Sequence, residues 1–325
     1  MIYEENVPPD IELSVIESTI QTCFPDVKSP EVRFLYHGTH NVYEVRGRFI
    51  FRFPSTFLPA KERIRLVRRE TEILNGLQDH IAIRIPSPLF VEVDSETPYM
   101  GYQKIPGCSL TRHYSDLSIE QRQNIAKQVG VFLGELHELE LAAVSPGTED
   151  SSFDIEDDRR EWSKFYERVV EITYPNLSHA QKLWTDTLFH DFLDHDENFQ
   201  FEPVLVHGDF DTSNILVDPE TFEVTGIIDF EETRIYDPAA DFLFQREGSE
   251  FMTPLLKTYP KEIDGRLQQR MSFRYGRIPF VYVLSGLDLG IDEMVRFGYR
   301  LLDERVRKWD LYSSVLRETF SALLR

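Results

Sequence analysis

The sequence predicts an α+β chain of two lobes: a small antiparallel sheet with one helix inserted, then a longer and mostly helical part. Three observations predict it. Residues 32–54 hold three β-rich runs separated by turn signals, helical spacing dominates from about residue 118 onward, and the character shifts around Pro106-Gly107. A chain of 325 residues is also long for one core and short for three.

In residues 11–23, Ile11, Val15, Ile16 and Ile20 recur at helical spacing, which predicts a short amphipathic helix closed off by Pro25 and Pro30. VRFLY, NVYEV and RFIFRF follow, rich in β-branched and aromatic residues and divided by HGT and RG turns; they predict a three-stranded meander. Residues 60–77 return to a helix, with Ile64, Val67, Ile73 and Leu74 near one face. Pro86–Val93 and Tyr99–Lys104 predict two more strands. Ser118-Ile119-Glu120-Gln121 is a capping-box pattern that starts a helix running to about Glu140. Helical spacing resumes between about 158 and 196. Val204–Val206, Ile215–Val217 and Val224–Ile228 are short strands. Asp237-Pro238 reads as an N-cap with proline at the first helical position, and helices fill the rest.

Hydrophobic residues are 41% and charged residues 28%, which suits a globular chain. No apolar run approaches the roughly 20 residues of a membrane-spanning helix. The opening MIYEENVPPD lacks the basic and apolar regions of a signal peptide, so none is expected, and the acidic charge argues against binding to an anionic membrane. Two cysteines, Cys23 and Cys108, exclude a disulfide scaffold and a Cys-rich zinc site, and fit a reducing cytoplasm. The net charge of −21 argues against nucleic acid and hints at a cationic ligand. Residues 1–104 carry 12 Lys+Arg against 15 Asp+Glu; residues 105–325 carry 23 against 41. Two acidic stretches, 149–161 and 186–202, are expected to be solvated faces or loops.

The chemistry concentrates in residues 204–241, VLVHGDFDTSNILVDPETFEVTGIIDFEETRIYDPAAD. Asp209 follows one short strand, Asn214 opens the next, and Asp229 ends the one after. Three polar side chains at the ends of adjacent strands can converge. Hard oxygen ligands suit Mg²⁺, and a separate aspartate can orient and deprotonate an attacking hydroxyl. Each residue alone would pass for a turn or strand-end residue. The spacing H-G-D-x₄-N followed by I-D-F favours magnesium-assisted phosphoryl transfer.

This segment resembles the catalytic core of the aminoglycoside phosphotransferase and small-molecule kinase family, which has the two-lobed protein-kinase-like fold. The likeness is closest to the enzymes that phosphorylate the 2″ hydroxyl of aminoglycosides. NVYEVRGRFIFRFP, RRETEIL, MGYQKIPGCSL and LGELHELEL resemble, in order, the family's phosphate-binding strand pair, first-lobe helix, lobe-connecting hinge and following helix end. The resemblance implies a nucleotide-binding lobe at 1–104, a catalytic and substrate-binding lobe at 105–325, and a hinge near 102–107. It implies ATP or GTP as donor. Asp209 would be the catalytic base, and Asn214 and Asp229 would hold Mg²⁺. His207 and Asp241 would support the loop. Arg52 would contact phosphate, with Glu70 as its partner, and the main chain of Gln103 to Ile105 would meet the purine.

Two departures stand out. The family often has lysine where this chain has Arg52, and that swap is not conservative at a close-fitting site. An ordinary surface ion pair remains the other reading of Arg52 and Glu70. The nucleotide loop, Tyr36 to Asn41, has a single glycine, so looser phosphate coverage is expected. On the acceptor side, Asp211, Glu232, Glu247 and Glu250 are candidates to bind a cationic small molecule. The apolar run 278–291 predicts a core helix; lining the cleft, it would suit a larger acceptor such as a macrolide. An amino alcohol or sugar acceptor, or a nucleotide-binding pseudokinase, are the alternatives.

Overall fold

A computed structural model describes residues 7–140, 144 and 153–324. Helix α1 (Leu13–Cys23) precedes strands β1 (Val32–His37), β2 (His40–Val45) and β3 (Phe49–Pro54). Helix α2 (Ala60–Leu77) is inserted before β4 (Pro88–Glu92) and β5 (Tyr99–Gln103). The five strands form one antiparallel sheet in the order β1-β2-β3-β5-β4.

Two-residue alternation decides which way β3 presents its side chains. Phe49, Phe51 and Phe53 pack with Ile16, Ile20 and Tyr43 beneath α1. Ile50 faces the other way, with Val42 and Met100, against Val67, Ile73 and Leu74 of α2. Arg52 shares that second face and is buried, so the sheet aims its charge at α2.

The second lobe begins with β6 (Cys108–Ser109), which pairs with β8 (Ile215–Val217); β8 pairs in turn with β9 (Val224–Ile227). Strands β7 (Val204–Val206) and β10 (Arg234–Tyr236) form a separate antiparallel pair. Helix α3 (Ile119–His137) starts at the expected capping box of Ser118 and Gln121. The helical stretch expected at 158–196 is two helices, α4 (Ile155–Thr173) and α5 (His179–Leu193). Pro175 sits in the 3₁₀ turn between them, and a second capping box, Ser178 with Gln181, restarts the helix. Asp237 does act as a cap, accepting from Ala239 N at 3.0 Å, but the segment it opens is a four-residue 3₁₀ turn ending at Asp241 rather than an α-helix. Helices α6 (Ser249–Thr258), α7 (Leu267–Gly276), α8 (Ile278–Leu289) and α9 (Asp292–Leu323) complete the chain. No described helix is long and apolar enough to cross a membrane.

One apolar core runs through both lobes, from Val42, Ile50 and Leu74 to Phe132, Phe210, Ile227 and Phe230. A second core joins Phe189 and Phe192 of α5 to Phe273, Phe280 and Leu302. Beside it lies a charged network. Arg270 and Arg274 are fully buried, and both reach Asp237, at 3.0 and 3.2 Å. Asp264 also holds Arg270 at 2.6 Å. The acidic stretch 149–161 is not simply solvated: Asp158 turns inward, accepting from Tyr236 and Trp162. Residues 149–152 lie outside the described residues.

Candidate active site

The loop between β7 and β8 carries Asp209, and the chain leaving β9 carries Asp229. Because β8 and β9 are paired, the residues at their ends are neighbours: Ile228 N donates to Asn214 O at 3.0 Å. The Asn214 side chain donates to Asp209 O at 2.7 Å, which fixes the loop and turns the amide oxygen the other way. Asp209, Asn214 and Asp229 are thus brought together. Asp229 has φ +74°, in the left-handed region that aspartate tolerates better than most residues. Asp209 stays open to solvent. Desolvation by the surrounding protein, and then the carboxylates of Asp211, Asp229, Glu231 and Glu232, push its pKa well above the ordinary carboxylate value.

The loop is held from behind. The carboxylate of Asp241, fully buried, accepts from His207 N at 2.7 Å and Gly208 N at 2.9 Å. His137 of α3 bonds the same carboxylate through Nε2 at 3.0 Å and reaches the Tyr259 hydroxyl through Nδ1 at 2.8 Å. The His207 ring bonds Ile228 O at 3.0 Å. Gly208 has φ +89°, and a Cβ there would sit 2.4 Å from Glu232 O. Only glycine suits both the backbone angle and the close approach.

Arg52 is not in a surface ion pair. Its side chain is 5% exposed, and that of Glu70 is 2% exposed. Nη1 donates to Glu70, and Nη2 donates to Asp229 Oδ1 at 2.6 Å and Glu231 Oε2 at 2.9 Å. His40 Nδ1 lies 2.8 Å from the same Glu231 oxygen. It therefore donates there rather than accepting from Arg52 Nη2 at 3.3 Å. His40, Glu70 and Glu231 point three potential metal-ligand atoms at one another, but the Arg52 guanidinium already touches all three residues. Burial raises the Glu70 carboxyl to about 7 against the pull of Arg52 and His40. Burial acts the same way on Glu231, yet His40 and Arg52 outweigh it and lower that carboxyl to about 2.

Sequence reasoning missed the part played by Glu231 and His40. It also missed Arg69, whose Nη1 donates to Glu231 O at 2.7 Å and whose Nη2 donates to Thr233 O. The usable signal was the doubled acid after Asp229-Phe230 and a histidine two residues after the only glycine of the loop. At the hinge, Gln103 ends β5 with its side chain exposed, and Ile105 is buried against Gly226.

The expected acceptor acids differ among themselves. Asp211 accepts from Ser213 N at 2.6 Å, closing its own turn. Glu232 pairs with Arg234 at 2.9 Å, and Glu250 pairs with Arg122 at 3.1 Å. Burial and then Asp211 raise the Glu247 carboxyl to about 7. The Tyr114 hydroxyl donates to Glu247 O at 2.6 Å. In the apolar helix α8, Phe280, Val283 and Leu284 are core residues, whereas Leu287 and Leu289 are exposed.

Residues 31–281 match the phosphotransferase enzyme family. The chain belongs to this family. At the family level it is a kinase-type enzyme acting on hydroxyl acceptors. The aminoglycoside 3'-phosphotransferase of Streptomyces ribosidificus is 25% identical over 235 residues, 70% of this chain and 82% of that protein. Among solved structures, the GDP and kanamycin complex of the aminoglycoside phosphotransferase APH(2")-IIIa has a TM-score of 0.78 at 22% identity. It covers 90% of this chain and 98% of its own. The macrolide 2'-phosphotransferase MphH from Brachybacterium faecium has a TM-score of 0.67 at 17% identity, covering 88% and 96%. These structures share the two-lobed kinase-like fold with this family member.

Proposed function

We propose that the protein transfers the γ-phosphoryl group of ATP or GTP to a hydroxyl of an aminoglycoside, with Asp209 as the base. The observation that carries this reading is the meeting of Asp209, Asn214 and Asp229 opposite the buried Arg52–Glu70 pair. Asp209 orients the acceptor hydroxyl and takes its proton as the oxygen bonds to the γ-phosphorus and the bond from that phosphorus to the bridging oxygen breaks, releasing the nucleoside diphosphate. Asn214, through the oxygen of its oriented amide, and the Asp229 carboxylate are hard donors that fit Mg²⁺. Bound there, the ion would neutralise charge on the triphosphate. Arg52 adds a second positive charge from the first lobe, and the main chain at Gln103 and Ile105 meets the base. His207 and Asp241 keep the loop in place.

The acceptor side is supported by charge. Residues 105–325 carry 23 Lys+Arg against 41 Asp+Glu, a field that draws in a polycation. Asp211, Glu232, Glu247 and Glu250 are the proposed contacts. The APH(2")-IIIa complex contains kanamycin, a cationic ligand of this class. The reading includes a cytoplasmic location, where nucleoside triphosphate is at hand.

A second reading has its own observation. Glu232 and Glu250 are already paired with Arg234 and Arg122, which reduces the charge offered to a ligand. A larger, less charged hydroxyl acceptor such as a macrolide is then favoured. The experiment is phosphate transfer from labelled ATP and GTP to a panel of aminoglycosides, macrolides and amino alcohols. Turnover with aminoglycosides supports the first reading, turnover with macrolides alone supports the second, and binding of nucleotide without any transfer defeats both.

A further inference from the structure

The Arg52 guanidinium faces three carboxylates at once: Glu70, Asp229 and Glu231. A triphosphate arriving beside them would add several more negative charges around one cation, so one carboxylate must give way. The three are not equally able to move. Glu70 is 2% exposed on α2. Asp229 is set by its backbone at φ +74° on the end of β9. Glu231 is 13% exposed and sits on a longer stem, with its backbone held separately by Arg69. Its Oε2 receives both Arg52 Nη2 at 2.9 Å and His40 Nδ1 at 2.8 Å. His40 is the residue that opens β2 directly after the Gly38-Thr39 turn of the nucleotide loop. One carboxylate oxygen thus satisfies a cation of the sheet and a donor of the loop together, as a phosphate oxygen would.

We infer that Glu231 is a built-in stand-in for phosphate: it fills the Arg52–His40 donor pair in the nucleotide-free protein and must swing out when a triphosphate binds. This rests on the kinase reading above and adds a residue that sets donor affinity. When Glu231 leaves, Arg52 Nη2 and His40 Nδ1 become donors to phosphate oxygens, while Glu70 and Asp229 keep their places. Glu231 is therefore a positioning residue that competes with the donor, not a group that takes part in transfer.

The experiment is calorimetric titration of wild type, Glu231→Gln and Glu231→Ser with ATP and GTP, each with excess Mg²⁺ and with EDTA. Adenosine and guanosine serve as phosphate-free controls, and thermal unfolding checks each variant. The expected result is a Kd for triphosphate about tenfold lower or more in both variants, with and without Mg²⁺, and unchanged nucleoside binding. Unchanged or weaker triphosphate binding overturns the inference while leaving the kinase reading intact. Weakening seen only with Mg²⁺ also overturns it, because Glu231 is then a metal ligand. Unfolding of both variants overturns it by making Glu231 a structural residue. Absence of any triphosphate binding by wild type and variants alike instead sinks the kinase reading on which it rests.

Discussion

Arg52 and Asp229 meet at 2.6 Å although 177 residues separate them in the chain. Their contact joins the five-stranded sheet of the first lobe to the end of β9 in the second. The guanidinium fork makes this possible, since its two terminal nitrogens serve Glu70 and Asp229 separately. A lysine ammonium is a single point charge on a flexible four-carbon stem. Arg52→Lys should leave Glu70 or Asp229 without its partner and lower stability by roughly 1–3 kcal/mol. Urea unfolding of the two proteins measures this.

Asp209→Ala should lower the rate of phosphate transfer by at least about a hundredfold. Triphosphate affinity should stay near that of wild type, because Asp209 is proposed to contact the acceptor hydroxyl and not the donor. Single-turnover rates beside nucleotide titrations separate the two effects. A variant as fast as wild type would remove Asp209 from the role of base.

Gly208→Ala introduces a methyl group 2.4 Å from Glu232 O at a backbone angle of φ +89°. Either the loop or the segment after Asp229 must shift. We expect a stability loss of about 1–3 kcal/mol, with transfer falling more steeply than nucleotide binding. The comparison of Tm, nucleotide Kd and kcat decides it.

Glu247 should make acceptor binding pH-dependent. Its pKa is raised to about 7, so the carboxyl is about one-tenth ionised at pH 6 and about nine-tenths ionised at pH 8. The sign follows: a cationic acceptor gains an anionic partner as pH rises. The acceptor's own ammonium groups lose charge over the same range and work in the opposite direction. Glu247→Gln isolates the carboxyl, because it removes this titration and keeps the acceptor's. The ratio of acceptor KM between variant and wild type should increase from pH 6 to pH 8; a constant ratio rules the contact out.

Local patterns made much of the fold legible. The runs of 32–54 became β1 to β3 because β-branched and aromatic residues crowd together between turn signals, and Ser118 with Gln121 set the start of α3. The chain between β7 and Asp229 was legible because short strands punctuate it, although only β8 and β9 are paired and β7 pairs instead with β10. Side-chain pairing between distant segments was not. His40 and Glu231 are joined only once the two lobes meet, and nothing in either segment names the other. Arg270 and Arg274 carry the charge of surface residues, yet they are buried because Asp237, Asp264 and Tyr236 satisfy them and aromatic rings flank Arg274. Asp237 was read as a cap, and it is one; its second task needs partners more than thirty residues away.

The carboxylate of Asp241 has a consequence for how the protein breathes. It captures the amide protons of His207 and Gly208 from inside the fold, and is itself tied to α3 through His137 and to the end of α6 through Tyr259. These protons cannot meet solvent until the β7 loop, the 3₁₀ turn and both helices part together. They should exchange with deuterium only through the largest openings of the second lobe. The residue beside them, Asp209, is open to solvent, so the proposed chemistry stands on one of the slowest-opening parts of the molecule. Heat should then abolish catalysis and the folded second lobe in a single step.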